Sequence, residues 1–365
     1  MSASKESDLD FATDNWCYLH DRPSATGVIR SQPEDFQVDE ELGFEPSGDG
    51  SHLWINVSKR LLNTMDVVKM IAAATGINKK DIGFSGQKDR NAVTTQWYSL
   101  PHDNRPENLV QQLEHFCASR AELKLNRKAL HPTKLRRGVH HSNRFRIRIR
   151  SFDGDQQDLE SRIRRICAEG APNYFGPQRF GRKNRNLKTA LRFFDQTGSK
   201  LDRNARGMAL SAARSWIFNQ VLSDRINFLG CNDPEPGDAM LLDGSNAFFI
   251  HDGSDPSVVD RIRRHDLHIT GPLWGQGELP TRGRVARFES LSVGRIRILP
   301  EGLEHAGLRQ QRRALRLIPR DLSWRVEQGR DLYLEFVLTR GTFATAFLRE
   351  LFYQLEEPMF FPGAE

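Results

Sequence analysis

The chain is poor in cysteine: Cys17, Cys117, Cys167 and Cys231 are the only four in 365 residues, and no two form a Cys-x-x-Cys pair. That spacing argues against a zinc site or a disulfide framework and for a reduced, cytoplasmic setting. Long apolar runs are also missing, and none approaches the ~18 residues that cross a bilayer. Residues 1–10 are polar and mixed in charge, so they read as a short flexible tail and not as a signal peptide. There is no Gly-rich phosphate loop, no dinucleotide fingerprint and no Ser or Cys nucleophile elbow. His140 and His141 are adjacent and lack helical metal-ligand spacing. Internal repeats and low-complexity blocks are absent as well. These gaps point away from NTP-driven, redox, metal-dependent and membrane-embedded chemistry.

What is present is a moderately polar globular chain, 38% hydrophobic and 27% charged, long enough for two domains. The formal net charge is +6. Its distribution says more than its size. From Lys124 to Phe152 there is no acidic residue but ten Lys or Arg. A long acid-free run of this kind suits a polyanionic partner such as RNA or DNA. Within it, Phe145, Ile147 and Ile149 alternate with Arg144, Arg146, Arg148 and Arg150, which predicts a strand with an apolar back and a cationic front. Four like charges on one face repel, and a polyanion opposite them relieves the repulsion. Arg182, Lys183 and Arg185 form a second basic group.

The early chain alternates short strands (27–30, 36–40 and 53–57) with a helix that Asn63 and Thr64 can cap and Gly76 can end. Further helices are predicted over 109–116, around Leu159 to Ile166, over 211–228 and over 342–353. Asp243-Gly-Ser-Asn246 signals a hairpin between 240–242 and 248–250. Residues 332–338 alternate as a strand whose natural partners lie in the N-terminal part. The expected fold is therefore α+β with a mainly antiparallel or mixed sheet. The expected domains are a discontinuous one, 1–169 with 318–365, and an inserted one, 170–317, forming the other wall of a basic RNA-binding groove.

The stretch with the most chemical content is Gly83 to Gln96. Two glycines shape a loop, Asp89 stands between Lys88 and Arg90, and a strand begins at Val93. Neighbouring cations favour an ionised Asp, which can act as nucleophile or base. Phe36, Asn143 with Phe145, and the segment Arg340 to Leu351 containing Phe343 and Arg349 are the other candidates. An Asn can read a base edge, an aromatic ring can stack on a base, and Arg349 can pair a carboxylate. An Asp, aromatic rings and a basic surface suit chemistry on a flipped-out nucleobase. A non-catalytic RNA-binding protein and an RNA N-glycosidase remain open. The second needs a second carboxylate, for which Glu34, Asp35 and Glu350 are unconvincing candidates.

Gly86-Gln-Lys-Asp89-Arg-Asn-Ala92-Val-Thr94-Thr-Gln96 resembles the Gly-x-Lys-Asp-x-x-Ala-x-Thr-x-Gln signature of the tRNA pseudouridine synthase D (TruD) family. The resemblance extends over nearly the whole chain, through Asn173 to Gly181, Ser211 to Gln220 and Gly341 to Leu351. It implies a pseudouridine synthase-like fold and isomerisation of uridine to pseudouridine in tRNA, at position 13 in bacterial members. It also implies no cofactor, metal or ATP. Nothing in the sequence suggests an obligate protein interface, so a monomer is expected. On this resemblance Asp89 is the catalytic aspartate, and Phe36, Asn143 and Phe343 contact the target nucleotide. Phe145 stacks on the base, and Arg349 keeps the aspartate ionised. Arg144, Arg146, Arg148, Arg150, Arg182, Lys183 and Arg185 are the expected RNA phosphate contacts. Ser142 stands where relatives often carry Gly, and it would be strained there if the turn needed a positive φ.

Overall fold

A computed structural model describes residues 11, 15–102, 106–196, 200–327 and 330–358. The expected N-terminal tail, residues 1–10, lies outside them. The chain forms two compact units. One comprises Ser24–Leu159, Pro319–Gly341 and the segment from Phe352. The other comprises Glu160–Ile318, Thr342–Leu351 and the segment ending at Pro23.

The first unit is built on a mixed sheet with ten strands among the described residues. Its early strands are β1 (Thr26–Ile29), β2 (Phe36–Glu41), β3 (His52–Arg60), β4 (Gly83–Phe84), β5 (Val93–Pro101), β6 (Leu123–His131) and β7 (Ser142–Asp153). Three later strands join them, at Arg320–Glu327, Asp331–Thr339 and Gln354–Glu356. The main path runs Arg320–Glu327, Asp331–Thr339, β7, β2, β5, β3, β6. β2 pairs with β5 in parallel and with β7 antiparallel. The α+β expectation holds.

The alternation read in 143–150 fixes the register. Phe36 opposes Ile147, Val38 opposes Phe145 and Glu40 opposes Asn143. These residues share one face of the sheet with Thr94 and Gln96 of β5 and with Val57 and Lys59 of β3. The ring of Phe145 stacks on Phe336 with centroids 5.3 Å apart. Part of this face is covered by helices α1 (Thr64–Thr75) and α2 (Pro106–Ala118), whose Val67, Ile71, Leu113 and Phe116 pack on Leu53, Ile55 and Val57. Asn63 caps α1 through a reciprocal bond set with Asp66, and Gly76 ends it at φ +74°, as the sequence predicts.

β6 and the strand Arg320–Glu327 went unpredicted. In β6 only Leu123 is buried, so the strand has no apolar period to read. In the second unit the long helix runs Arg203–Phe228, starting earlier than expected because Asp202 caps the amides of Asn204 and Ala205. Ala239–Leu242 and Phe248–Ile250 form the predicted hairpin. The helix expected over 342–353 is only Ala344–Arg349. No helix among the described residues is long and apolar enough to cross a membrane.

Candidate active site

Asp89 lies on the loop from β4 to β5, and the surrounding strands hold that loop by its backbone. Gln96, inside β5, donates to the carbonyl of Gly86 (3.1 Å) and accepts from the hydroxyl of Thr64 (2.7 Å). The same Thr64 hydroxyl accepts the amide of Lys88 (2.9 Å). Lys59 of β3 donates from Nζ to the carbonyls of Leu62 (2.5 Å) and Asp89 (2.9 Å). Lys59 is 1% exposed. Burial pushes its ammonium down to about 8, while Asp89 draws it back up. Gly83 is needed for close approach and not for a bend. A Cβ there would lie 2.3 Å from the Ser99 hydroxyl and 2.4 Å from the Leu135 carbonyl.

The Asp89 side chain is 42% exposed, so its carboxylate can reach a ligand. One oxygen accepts from Nη2 of Arg30 at 3.0 Å. Arg30 follows β1 directly, at φ +57°, and its side chain is only 4% exposed. Its guanidinium lies 4.0 Å from the centroid of the Phe36 ring, and its Nη1 bonds Glu357 at 3.0 Å. A planar guanidinium stacked on a ring and forked between two carboxylates is a rigid support. The neighbours expected to hold Asp89 do other work. Lys88 turns inward to Glu40 (3.1 Å), both side chains being buried, and donates to the side-chain oxygen of Asn143. Arg90 donates to the carbonyl of Leu61 (3.2 Å).

Phe36 and Phe145 are 2% and 7% exposed, their rings 6.1 Å apart edge to face. Arg30 covers Phe36, and Phe145 is closed between Phe36 and Phe336, so neither ring is open to solvent in this structure. They form an apolar floor under Arg30. Asn143 is on the same face, its amide oriented by Lys88. Ser142 is in extended backbone within β7 and donates to Glu41 (2.7 Å), so the anticipated strain is absent.

The arginines of β7 point the other way. Strand alternation sets Arg144, Arg146, Arg148 and Arg150 on the face opposite Phe36 and Asn143. Each is neutralised within the fold. Arg144 meets Glu41 (2.9 Å) and Asp321 (3.1 Å), Arg146 meets Asp39 (2.6 Å), Arg148 takes Asp331 with two nitrogens, and Arg150 meets Asp35 (2.8 Å). The acids come from β2 and the turn before it and from the strands Arg320–Glu327 and Asp331–Thr339. No polyanion is needed to relieve the repulsion, and these four arginines do not share a face with Asp89. By contrast Arg182, Lys183 and Arg185 are exposed and have no ion-pair partner among the described residues.

Phe343 and Arg349 belong to the second unit. Phe343 precedes the short helix Ala344–Arg349, is partly exposed, and lies 5.7 Å from the ring of Phe175. Arg349 stacks over Tyr18 (3.7 Å), donates to the carbonyls of Trp16 and Cys17, and pairs with Glu350 (3.3 Å). Within its own unit Arg349 meets the carboxylate of Glu350, and within its own unit Asp89 meets the cation of Arg30.

Glu350 is fully buried, accepts the amides of Leu19 (3.1 Å) and His20 (3.4 Å), and is pushed up to about 7 by burial, with Arg349 opposing. Between its ordinary value of 4.5 and about 7 the folded chain holds this proton more tightly than the unfolded chain. This group's contribution to stability therefore falls as pH rises through that window. Glu350→Gln keeps an acceptor for both amides and removes the charge. It is expected to stabilise the protein on the order of 2 kcal/mol at pH 8 and not at pH 4. Thermal melts of variant and wild type at both pH values check this, and an equal shift at both would refute it.

A family model described as tRNA pseudouridine synthase D (TruD) matches residues 13–194 and 184–351. The chain is 41% identical over 338 residues to the tRNA pseudouridine synthase D of Nitrosococcus oceani, covering 92% of each. It is 42% identical over 332 residues to that of Methylococcus capsulatus, covering 91% of this chain and 92% of the relative. The chain belongs to the tRNA pseudouridine synthase D family. Its fold matches the crystal structure of a TruD-type protein from Methanosarcina mazei, with a TM-score of 0.67 over 92% of this chain and 95% of that one at 19% identity. The TruD signature seen in the sequence is the clamped loop itself: Lys88 and Gln96 hydrogen-bond to hold the segment that presents Asp89, and Ala92 and Thr94 are fully buried. Outside that TruD signature, the sequence reading missed Arg30, Lys59, Thr64 and Glu40.

Proposed function

We propose that this protein isomerises uridine to pseudouridine in tRNA, with Asp89 as the catalytic group. The single observation that carries the reading is the Asp89 carboxylate, open to solvent on one side and held by Arg30 on the other. Held there, the carboxylate either attacks C1′ of the ribose or removes the proton from C2′. The N1–C1′ bond breaks, the uracil turns within the site, and the C5–C1′ bond forms. The proton lost from C5 is balanced by one gained at N1, so the reaction consumes nothing. Membership of the TruD family supports this reading.

Asn143 is assigned to a polar edge of the target nucleotide, and Phe343 to an aromatic contact with it. Phe36 and Phe145 support Arg30 from below. The target is position 13, and the protein works as a cytoplasmic monomer. The test is incubation with unmodified tRNA transcripts followed by chemical mapping of pseudouridine. Release of free uracil would instead indicate an N-glycosidase, and binding without any modification a non-catalytic RNA-binding protein.

The phosphate contacts are assigned to the exposed cations Arg182, Lys183 and Arg185, which have no ion-pair partner among the described residues. The affinity for tRNA is expected to fall steeply with salt, and changing these three residues to Ala should flatten the slope of log K against log salt by about 2–3. Changing Arg146 to Ala should leave that slope intact, because Arg146 is held by Asp39. Filter binding across a salt series reads both, and an unchanged slope in the triple variant removes the assignment.

A further inference from the structure

Lys59 is out of place by ordinary rules. It is a lysine 1% exposed, without a carboxylate partner within 4 Å among the described residues, and with hydrogen bonds only to the main-chain carbonyls of Leu62 and Asp89. Buried charges are usually paired, and an unpaired one is costly to keep. Its position on β3 opposes Thr94 of β5, so the side chain lies under the loop that carries Asp89. The charged groups acting on it are Asp89 and Asp66, which favour its protonated form, and Lys88, which opposes it. Arg30 holds the carboxylate of Asp89 from one side, and Lys59 holds its backbone from the other.

We infer that Lys59 is the positioning residue of this site: its buried ammonium fixes the main chain at Asp89 and supplies a second positive charge behind the carboxylate. The inference rests on the pseudouridine synthase reading for its effect on rate, but its structural half stands without it. A group held at the loop backbone acts on the reacting geometry and not on tRNA affinity. Changing it should therefore lower kcat and leave KM alone.

The experiment uses the full-length protein and the variant Lys59→Gln, which keeps N–H donors but carries no charge. The kcat on tRNA transcripts is expected to fall about 10- to 100-fold, the cost of a small misplacement of a catalytic group, with KM unchanged. Wild-type kcat should show an alkaline limb near pH 8, where burial places the Lys59 ammonium, and the limb should be absent from Lys59→Gln. Hydrogen exchange at residues 86–92 should quicken in the variant, and in wild type at pH 9.5 its protection there should drop relative to pH 7. Unchanged kcat, a limb that persists in the variant, or unchanged protection at 86–92 would overturn the inference. If wild type makes no pseudouridine, the functional reading fails, while the exchange measurement still decides the positioning role. If Lys59→Gln does not fold, the wild-type comparison at the two pH values decides it without a variant.

Discussion

Asp89→Asn should abolish pseudouridine formation, with a loss on the order of 10⁴-fold in single-turnover rate, while tRNA binding and folding persist. The substitution is nearly isosteric, so the loop geometry set by Gln96, Thr64 and Lys59 is retained. What disappears is the negative charge and the lone pair that can attack carbon or accept a proton. The amide can still occupy the space beside Arg30. A 42% exposed side chain contributes little to the core, so the melting temperature should stay within a few degrees of wild type. Chemical mapping of transcripts under enzyme excess measures the rate, and a melt serves as the control. A variant that modifies tRNA at the wild-type rate removes Asp89 from the chemistry and with it the proposed mechanism.

Arg30→Met is expected to have the second-largest effect, a fall on the order of 10²- to 10³-fold, because it removes the buried cation that positions the Asp89 carboxylate. Methionine keeps an apolar stem over Phe36 but cannot hold Asp89. Arg30→Lys restores the charge without the flat fork that joins Asp89, Glu357 and the Phe36 face, so partial recovery is expected. The ordering Arg, then Lys, then Met in rate is the specific outcome to look for. Equal rates for Lys and Met would mean that the charge on Arg30 does not matter.

Some of this was legible in the sequence. The Gly83 to Gln96 stretch announced both the loop and its acid, and the alternation in 143–150 announced β7 with its two faces. That same alternation already placed Asn143 and Phe145 opposite Arg144 and Arg146. Assigning all of them to one RNA-lined site conflicted with the period-two rule, and the register resolves the conflict. Arg30 was not legible. Its contact with Asp89 spans 59 residues and depends on how β1, β2 and β7 align, which no local pattern encodes. Nor were the acids that neutralise the β7 arginines, because they lie on neighbouring strands. Lys59 did leave a trace: it is in phase with Leu53, Ile55 and Val57, on the side that turns inward. A lysine on the apolar phase of a strand is a stronger cue to a buried polar site than the loop's own flanking charges.

The link from Arg30 to Glu357 ties the reaction centre to the last strand of the sheet, since Gln354–Glu356 runs beside β1 and delivers Glu357 to the guanidinium. Proteolytic clipping ahead of that strand would free one arm of the arginine and soften its grip on Asp89. Material fused beyond it would pull on the same tether, so the integrity of the carboxyl-terminal region is a catalytic concern as well as a matter of stability.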